Sequence, residues 1–104
     1  MVVAAYRAEG TLAATLSSIT GQTHPVDEVV VVDDGSDDGT ADLARRWSSV
    51  GDVRVLQQEN AGPAAARRAG VAATSAEVLA FVDTDDVWLP DHLDVALAVL
   101  AGPG

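Results

Sequence analysis

Short runs of β-branched residues alternate along this chain with longer segments in which apolar side chains recur at helical spacing. The predicted strands cover residues 1–5, 29–32, 53–57 and 78–82. Leu12, Leu16 and Ile19 follow the first strand at positions i, i+4 and i+7, the spacing of one helix face. Residues 29–32 are four consecutive valines, as expected where helices cover both faces of a parallel sheet. The alternation therefore predicts an α/β fold.

The remaining helices complete this prediction. The residues expected to face the core from the second and fourth helices are Leu43, Trp47, Val50, Leu93, Leu97 and Leu100. Gly21 is predicted to end the first helix, the alanine-rich third helix follows Pro63, and Pro90 is predicted to begin the fourth. We expect residues 1–104 to form one domain, a three-layer Rossmann-like parallel sheet with helices on both faces. The strands' carboxyl ends then share one edge, where ligands of open α/β sheets bind.

Composition excludes several classes of function. The chain has 104 residues and a formal net charge of −10, which argues against duplex nucleic acid and anionic membranes as partners. All six basic residues are arginine, so a lysine-containing phosphate loop and a lysine Schiff base are excluded. Without cysteine, the chain forms no disulfide, thiolate nucleophile or cysteine-ligated zinc site.

Targeting and membrane signals are also missing from the sequence. No apolar run approaches the roughly 18 residues that a membrane-spanning helix needs, and no signal-peptide pattern is present. The lack of cysteine fits a reducing compartment. We therefore expect a soluble, cytoplasmic chain with no membrane segment.

A first acidic cluster follows the second predicted strand. Asp33 and Asp34 are adjacent carboxylates at the end of a buried strand, where they repel each other and are desolvated. They are therefore expected to need an external partner, such as a ribose hydroxyl or the N–H of a base. Asp37, Asp38 and Thr40 are interpreted as cap and turn residues of the following helix.

A second acidic cluster, residues 83–86, follows the fourth predicted strand. Carboxylate oxygens are the ligands that Mg²⁺ and Mn²⁺ prefer. In an extended segment Asp83 and Asp85 share one side, while Asp86 turns away. The alternative is a solvated acidic loop that caps the last helix, and the motif alone supports both interpretations.

A third segment links a turn to a helix. Asn60 and Gly62 suit a turn into the amino-terminal end of the third helix, where an anion is favoured. Arg67 lies about one turn later, within reach of a phosphate or a base. The alternative is a surface helix with solvated arginines.

These segments together resemble family 2 glycosyltransferases of the GT-A fold. The matching positions, in order along nearly the whole chain, are Tyr6, residues 32–40, residues 60–67 and residues 83–86. The resemblance implies that the chain is the amino-terminal, donor-binding part of such a fold. Arg68 departs from the asparagine usual after the family's Ala-Arg pair.

The resemblance also implies roles for particular residues. Those implied to bind a nucleoside diphosphate sugar are Ala5, Tyr6, Asp33, Asp34, Arg67 and Asp83. Asp85 is implied to bind the Mg²⁺ or Mn²⁺ that bridges the diphosphate. The family favours a UDP-sugar as donor and leaves the acceptor unidentified.

The reaction implied by the resemblance is an inverting displacement, in which an acceptor hydroxyl attacks the anomeric carbon while the metal stabilises the departing diphosphate. The family's catalytic base lies in a second half of the domain, so we expect this chain to be part of a longer protein and inactive alone. An unpaired sheet edge would then favour self-association. Two alternatives are a non-catalytic module that binds nucleotide and metal, and a receiver-like signalling domain, which the missing lysine disfavours.

Overall fold

The computed structural model describes residues 1–49, 51–75 and 79–101. Four parallel strands form one sheet in the spatial order β3-β2-β1-β4. The strands are β1 (Val2–Ala5), β2 (Val29–Asp33), β3 (Val53–Gln57) and β4 (Phe81–Asp83). The helices are α1 (Leu12–Thr20), α2 (Thr40–Arg46), α3 (Pro63–Ala72) and α4 (His92–Ala101), with a short 3₁₀ turn at Trp47–Ser49.

The valine run forms a central strand that is buried on both faces. Val29 and Val31 belong to a core cluster with side chains of α1, α2 and α4. Val30 and Val32 belong to a second cluster with alanines of α3. Because successive strand residues point to opposite faces, this division places helices on both sides of the sheet. The predicted α/β architecture is confirmed.

Helix α3 packs on the sheet through its small residues. A Cβ added at Gly70 would lie 2.3 Å from Val2 Cγ1, a distance that no side chain tolerates. Ala66, one turn earlier, is fully buried against the same face. The small side chains therefore let the helix approach β1 and β2, and this approach sets the position of its amino-terminal end beside the strand ends.

Strand β4 and helix α2 have boundaries that differ from the predicted ones. Strand β4 begins at Phe81, although its pairing with β1 extends back to Ala80, whose carbonyl accepts from the Val2 N–H at 2.8 Å. Val78 lies outside the described residues. Helix α2 ends at Arg46, and Trp47 continues as a 3₁₀ turn that still packs on the core. Val50, predicted on the same face, also lies outside the described residues.

The fourth helix corrects two predictions. It begins at His92 because Pro90 lies in a turn whose carbonyl accepts from the Thr23 N–H at 2.7 Å. Leu93 packs on the core as expected, but Leu100 is 71% exposed since no described element covers that end of α4. Within the described residues, no helix is both long and apolar enough for a membrane crossing.

Candidate functional site

A cleft of about 500 Å³ opens at the carboxyl ends of β1 and β4, beside the amino-terminal end of α3. Six of the seven side chains implied by the family resemblance line it: Ala5, Tyr6, Asp34, Arg67, Asp83 and Asp85. The parallel sheet gathers these residues because its strands all end at this edge. Asp33 is the implied residue that does not line the cleft.

Asp34 is bound by the loop that precedes α3. Its Oδ1 accepts from Gln58 Nε2 at 2.8 Å and from the Ala61 N–H at 2.9 Å, and its Oδ2 accepts from the Gly62 N–H at 3.0 Å. The side-chain hydrogen bond from Gln58, followed by that from the Ala61 backbone, holds the pKa of Asp34 below its ordinary value against the opposing effect of burial. An anion was expected at the amino-terminal end of α3, and the Asp34 carboxylate of the same chain supplies part of that negative charge.

The same loop contact requires a glycine at position 35. Gly35 has a φ of +79°, and a Cβ there would lie 2.7 Å from the Asn60 backbone nitrogen. Asn60 Nδ2 also donates to the Asp34 carbonyl at 3.0 Å. The loop after β2 and the loop after β3 are therefore held against each other as one wall of the cleft.

Asp33 is buried beneath that wall. Its Oδ1 accepts from the Ser36 N–H at 3.1 Å, and its carbonyl accepts from the Gln58 N–H at 3.0 Å. These bonds shape the turn after β2, so the partners of Asp33 come from the protein itself. Its contact with a nucleotide remains a prediction.

The loop after β1 forms the opposite wall and contains a residue that sequence analysis missed. Arg7 adopts a φ of +49°, and its Nε lies 3.1 Å from Asp37 Oδ1. Its guanidinium carbon lies 5.1 Å from the centre of the Tyr6 ring. Asp37 thus pairs with Arg7 instead of capping α2. Asp38 accepts from the Thr40 N–H at 3.0 Å and so acts as a turn residue before α2, whose amino-terminal cap is Gly39.

Arg7 offered a weak signal in the sequence. It directly follows Tyr6 at the end of a predicted strand, where side chains reach the ligand edge of the sheet. Its partner Asp37 lies 30 residues away, so the pair follows from the adjacency of β1 and β2.

The acidic turn, residues 83–86, closes the remaining side of the cleft. Carboxylate oxygens of Asp83, Asp85 and Asp86 all lie within 4.8 Å of one another, and all three side chains are exposed. Asp86 was expected to point away, but the chain turns after β4, with the Asp86 N–H donating to the Asp83 carbonyl at 3.0 Å. Arg67 Nη2 lies 3.5 Å from Asp83 Oδ1 and offsets part of the negative charge. Three converging carboxylates fit a hard divalent cation.

Comparisons with known proteins identify the family. Residues 1–104 match the model of glycosyl transferase family 2. The chain belongs to this family. Among its curated members, the glycosyltransferase GlyA of Streptococcus pneumoniae serotype 4 is 41% identical over 96 residues, which are 90% of this chain and 14% of GlyA. The chain spans 28% to 39% of the length of three further curated relatives.

Solved glycosyltransferase structures share the fold. TarS of S. aureus, residues 1–349 in complex with UDP-GlcNAc, has a TM-score of 0.87 and 31% identity, covering 96% of this chain and 30% of that TarS chain. Mannosyltransferase PcManGT from Pyrobaculum calidifontis, in complex with GDP-Man and Mn²⁺, has a TM-score of 0.90 and 31% identity, covering 98% and 32%. The predicted family and its GT-A fold are confirmed.

Proposed function

We propose that the chain is the donor-binding part of an inverting, metal-dependent glycosyltransferase. It would bind a nucleoside diphosphate sugar, with a UDP-sugar favoured, for transfer to an acceptor hydroxyl. The observation that carries the proposal is that one cleft combines an exposed aromatic ring, an arginine and converging carboxylates. Relatives with this fold hold UDP-GlcNAc or GDP-Man.

The walls of the cleft suit the base and the ribose. The Tyr6 ring is 44% exposed and offers an apolar face on which a base can stack. Asp34 is rigidly held and negatively charged, and it accepts hydrogen bonds from a base N–H or a ribose hydroxyl through its remaining lone pairs. An aspartate is ionised at neutral pH, and the hydrogen bonds that lower the pKa of Asp34 favour this charged form further.

The charge of the cleft argues for a divalent cation. A diphosphate entering between Asp34, Asp83 and Asp85 meets negative charge on several sides. Arg67, paired with Asp83, and Arg7, paired with Asp37, offset that charge only in part. We assign Asp85, with Asp83 and Asp86, as the group that would hold Mg²⁺ or Mn²⁺. When bound, such an ion supplies Lewis-acid stabilisation of the leaving diphosphate.

Among the described residues that line the cleft, none of the three carboxylates is suited to act as the catalytic base, since Asp85 is assigned to the metal and the other two are Asp34 and Asp83. Asp34 is hydrogen-bonded on both oxygens and its pKa is lowered, so it accepts a proton poorly at neutral pH. Asp83 is paired with Arg67. We therefore propose that the base and the acceptor site lie in further sequence of the kind that the longer relatives have. A separate proposal, supported by the lack of cysteine, is that the protein acts in the cytoplasm.

The lack of a suitable base among these cleft carboxylates favours a second candidate function. The chain would then be a module that binds nucleotide and metal without catalysing transfer. The two candidates differ in turnover: a complete transferase releases UDP from a UDP-sugar in the presence of its acceptor, whereas a binding module releases none.

Calorimetric titration of UDP, with and without Mn²⁺, tests the binding proposal. We expect at least roughly tenfold tighter binding with Mn²⁺, because the ion screens the carboxylates. Asp85→Ala should abolish this gain. Asp52→Ala is the matched control. Asp52 is exposed and lies just before β3, at the amino-terminal end of that strand, whereas the cleft lies at the carboxyl ends of the strands. A folded chain that binds none of UDP, GDP and dTDP would disprove the proposal.

Self-association is a separate proposal supported by exposed apolar surface. Strand β4 forms one edge of the sheet and carries Phe81, which is half exposed. On α4, Val95, Val99 and Leu100 are also exposed. Light scattering over a range of concentrations should show a mass above that of the monomer, and a stable monomer at high concentration would contradict it.

A further inference from the structure

A buried hydroxyl group lies directly beneath the acidic turn. Thr15, on the inner face of α1, is fully buried among apolar core residues. Its Oγ1 lies 2.8 Å from the Thr84 carbonyl oxygen and 2.7 Å from the Asp86 carbonyl oxygen. These two carbonyls belong to the residues on either side of Asp85, so a single side chain contacts the backbone on both sides of the central carboxylate.

One hydroxyl proton serves both carbonyls, either shared between them or alternating from one to the other. Each of these carbonyl oxygens is stabilised when it accepts the hydroxyl proton of Thr15. The threonine also lies 3.4 Å from the Thr11 carbonyl of its own helix, a longer contact than the two to the acidic turn. The shortest contacts of the hydroxyl are therefore made to a segment about 70 residues away.

A second side chain holds the segment that follows the turn. Gln22, buried just after α1, donates from Nε2 to the Leu89 carbonyl at 2.7 Å. Its Oε1 accepts from the Leu93 N–H at 2.9 Å. Helix α1 and Gln22, two residues after its end, thus anchor residues 84–93 at two points, with Thr15 nearer to the carboxylates.

We propose that Thr15 is a positioning residue for the metal-binding turn, and that Gln22 supports the same segment from farther away. The proposal rests on the function proposed above for Asp85. Like charges within 4.8 Å repel each other, so a turn that is free to relax would separate them. The hydroxyl opposes that relaxation by fixing the backbone on both sides of Asp85, and this preorganisation increases the affinity for a cation.

The test compares substitutions at Thr15 by direct Mn²⁺ binding, read from the electron paramagnetic resonance signal of free Mn²⁺. Thr15→Val removes the hydroxyl and keeps the shape, and should weaken Mn²⁺ binding roughly tenfold. Thr15→Ser keeps the hydroxyl and should stay within about threefold of the parent chain, since the positioning bonds remain. Thr20→Val is the matched control on α1, because that hydroxyl donates within its own helix, to the Leu16 carbonyl at 3.0 Å.

A second measurement separates positioning from general loosening of the fold. In the proposed function, UDP binding without metal depends on Tyr6, Asp34 and Arg67. None of these three accepts or donates in the hydrogen bonds of the Thr15 side chain among the described residues, so this binding should be unchanged in Thr15→Val. Equal losses of Mn²⁺ and metal-free UDP binding would overturn the proposal, and so would unchanged Mn²⁺ binding. If Thr15→Val does not fold, Gln22→Leu takes its place in the test and should weaken Mn²⁺ binding measurably. Unchanged Mn²⁺ binding in Gln22→Leu would then overturn the proposal.

The controls distinguish this proposal from the one on which it depends. If Asp85→Ala leaves Mn²⁺ binding unchanged, the proposed metal site is wrong, and the positioning role is wrong with it. If Asp85→Ala abolishes Mn²⁺ binding while Thr15→Val does not alter it, the metal site stands and only the positioning role is overturned.

Discussion

Two acidic clusters follow parallel strands at the same edge of this sheet, and their environments are opposite. Asp33 and Asp34 are buried, and backbone or side-chain donors of the chain occupy their carboxylates. The carboxylates of residues 83–86 are exposed and close to one another. The comparison teaches that carboxylates at a strand end bind a ligand or shape a loop according to the donors that the fold brings to them.

The largest effect is expected where the buried carboxylate is removed. Asp34→Ala leaves Gln58 Nε2 and the Ala61 and Gly62 N–H groups without their acceptor. We expect a loss of about 2–3 kcal/mol in the free energy of unfolding. Urea denaturation measures it, with exposed Asp42→Ala as a control. A loss as small as that of the control would show that Asp34 is not structural.

The second largest loss of stability is expected on substitution of Gly35, which lies between the two loops. Gly35→Ala places a Cβ at a φ of +79° and 2.7 Å from the Asn60 nitrogen. The strained backbone alone costs about 1–2 kcal/mol. Gly10→Ala is the matched control because a Cβ there meets nothing within 4 Å. Equal stabilities of the two variants in urea would mean that the loops are not held as closely as the structure has them.

The pH dependence of stability should distinguish the clusters further. Asp34 has a lowered pKa in the folded chain, so below neutral pH the unfolded chain takes up its proton first. The contribution of Asp34 to the free energy of unfolding is complete above the ordinary aspartate pKa. It is lost as pH falls through the lower pKa that Asp34 has in the folded chain. In Asp34→Asn this loss should be absent from acid unfolding curves. If Asp34→Asn retains the full acid dependence of the parent chain, that dependence comes from other carboxylates.

The smallest effect on stability is expected at the exposed turn. Asp85→Asn removes one of three mutually repelling charges and breaks no hydrogen bond given for the described residues. Without metal, its free energy of unfolding should stay within about 0.5 kcal/mol of the parent value. Thermal unfolding with and without Mn²⁺ measures this. A large loss without metal would mean that the exposed cluster is structural, like the buried one.

Much of the fold was predictable because its signals are local. The four-valine run, the spacing of Leu12, Leu16 and Ile19, and the third strand at Val53–Gln57 all follow from side-chain periodicity. The fourth helix was predicted less well, since its start depends on the contact of Pro90 with Thr23. The exposure of Leu100 depends on which elements lie beside it, and periodicity does not contain that information.

For the site, the sequence by itself determined which residue types stand at the strand ends, and therefore the candidate cleft and its acidic character. Only the tertiary structure decided their partners. Asp34 receives donors from 24 to 28 residues away, and Thr15 contacts carbonyls 69 and 71 residues away. The order β3-β2-β1-β4 makes these distant segments neighbours. A carboxylate's role depends on that neighbourhood because hydrogen bonds and charge act over a few ångströms of space, whatever the separation along the chain.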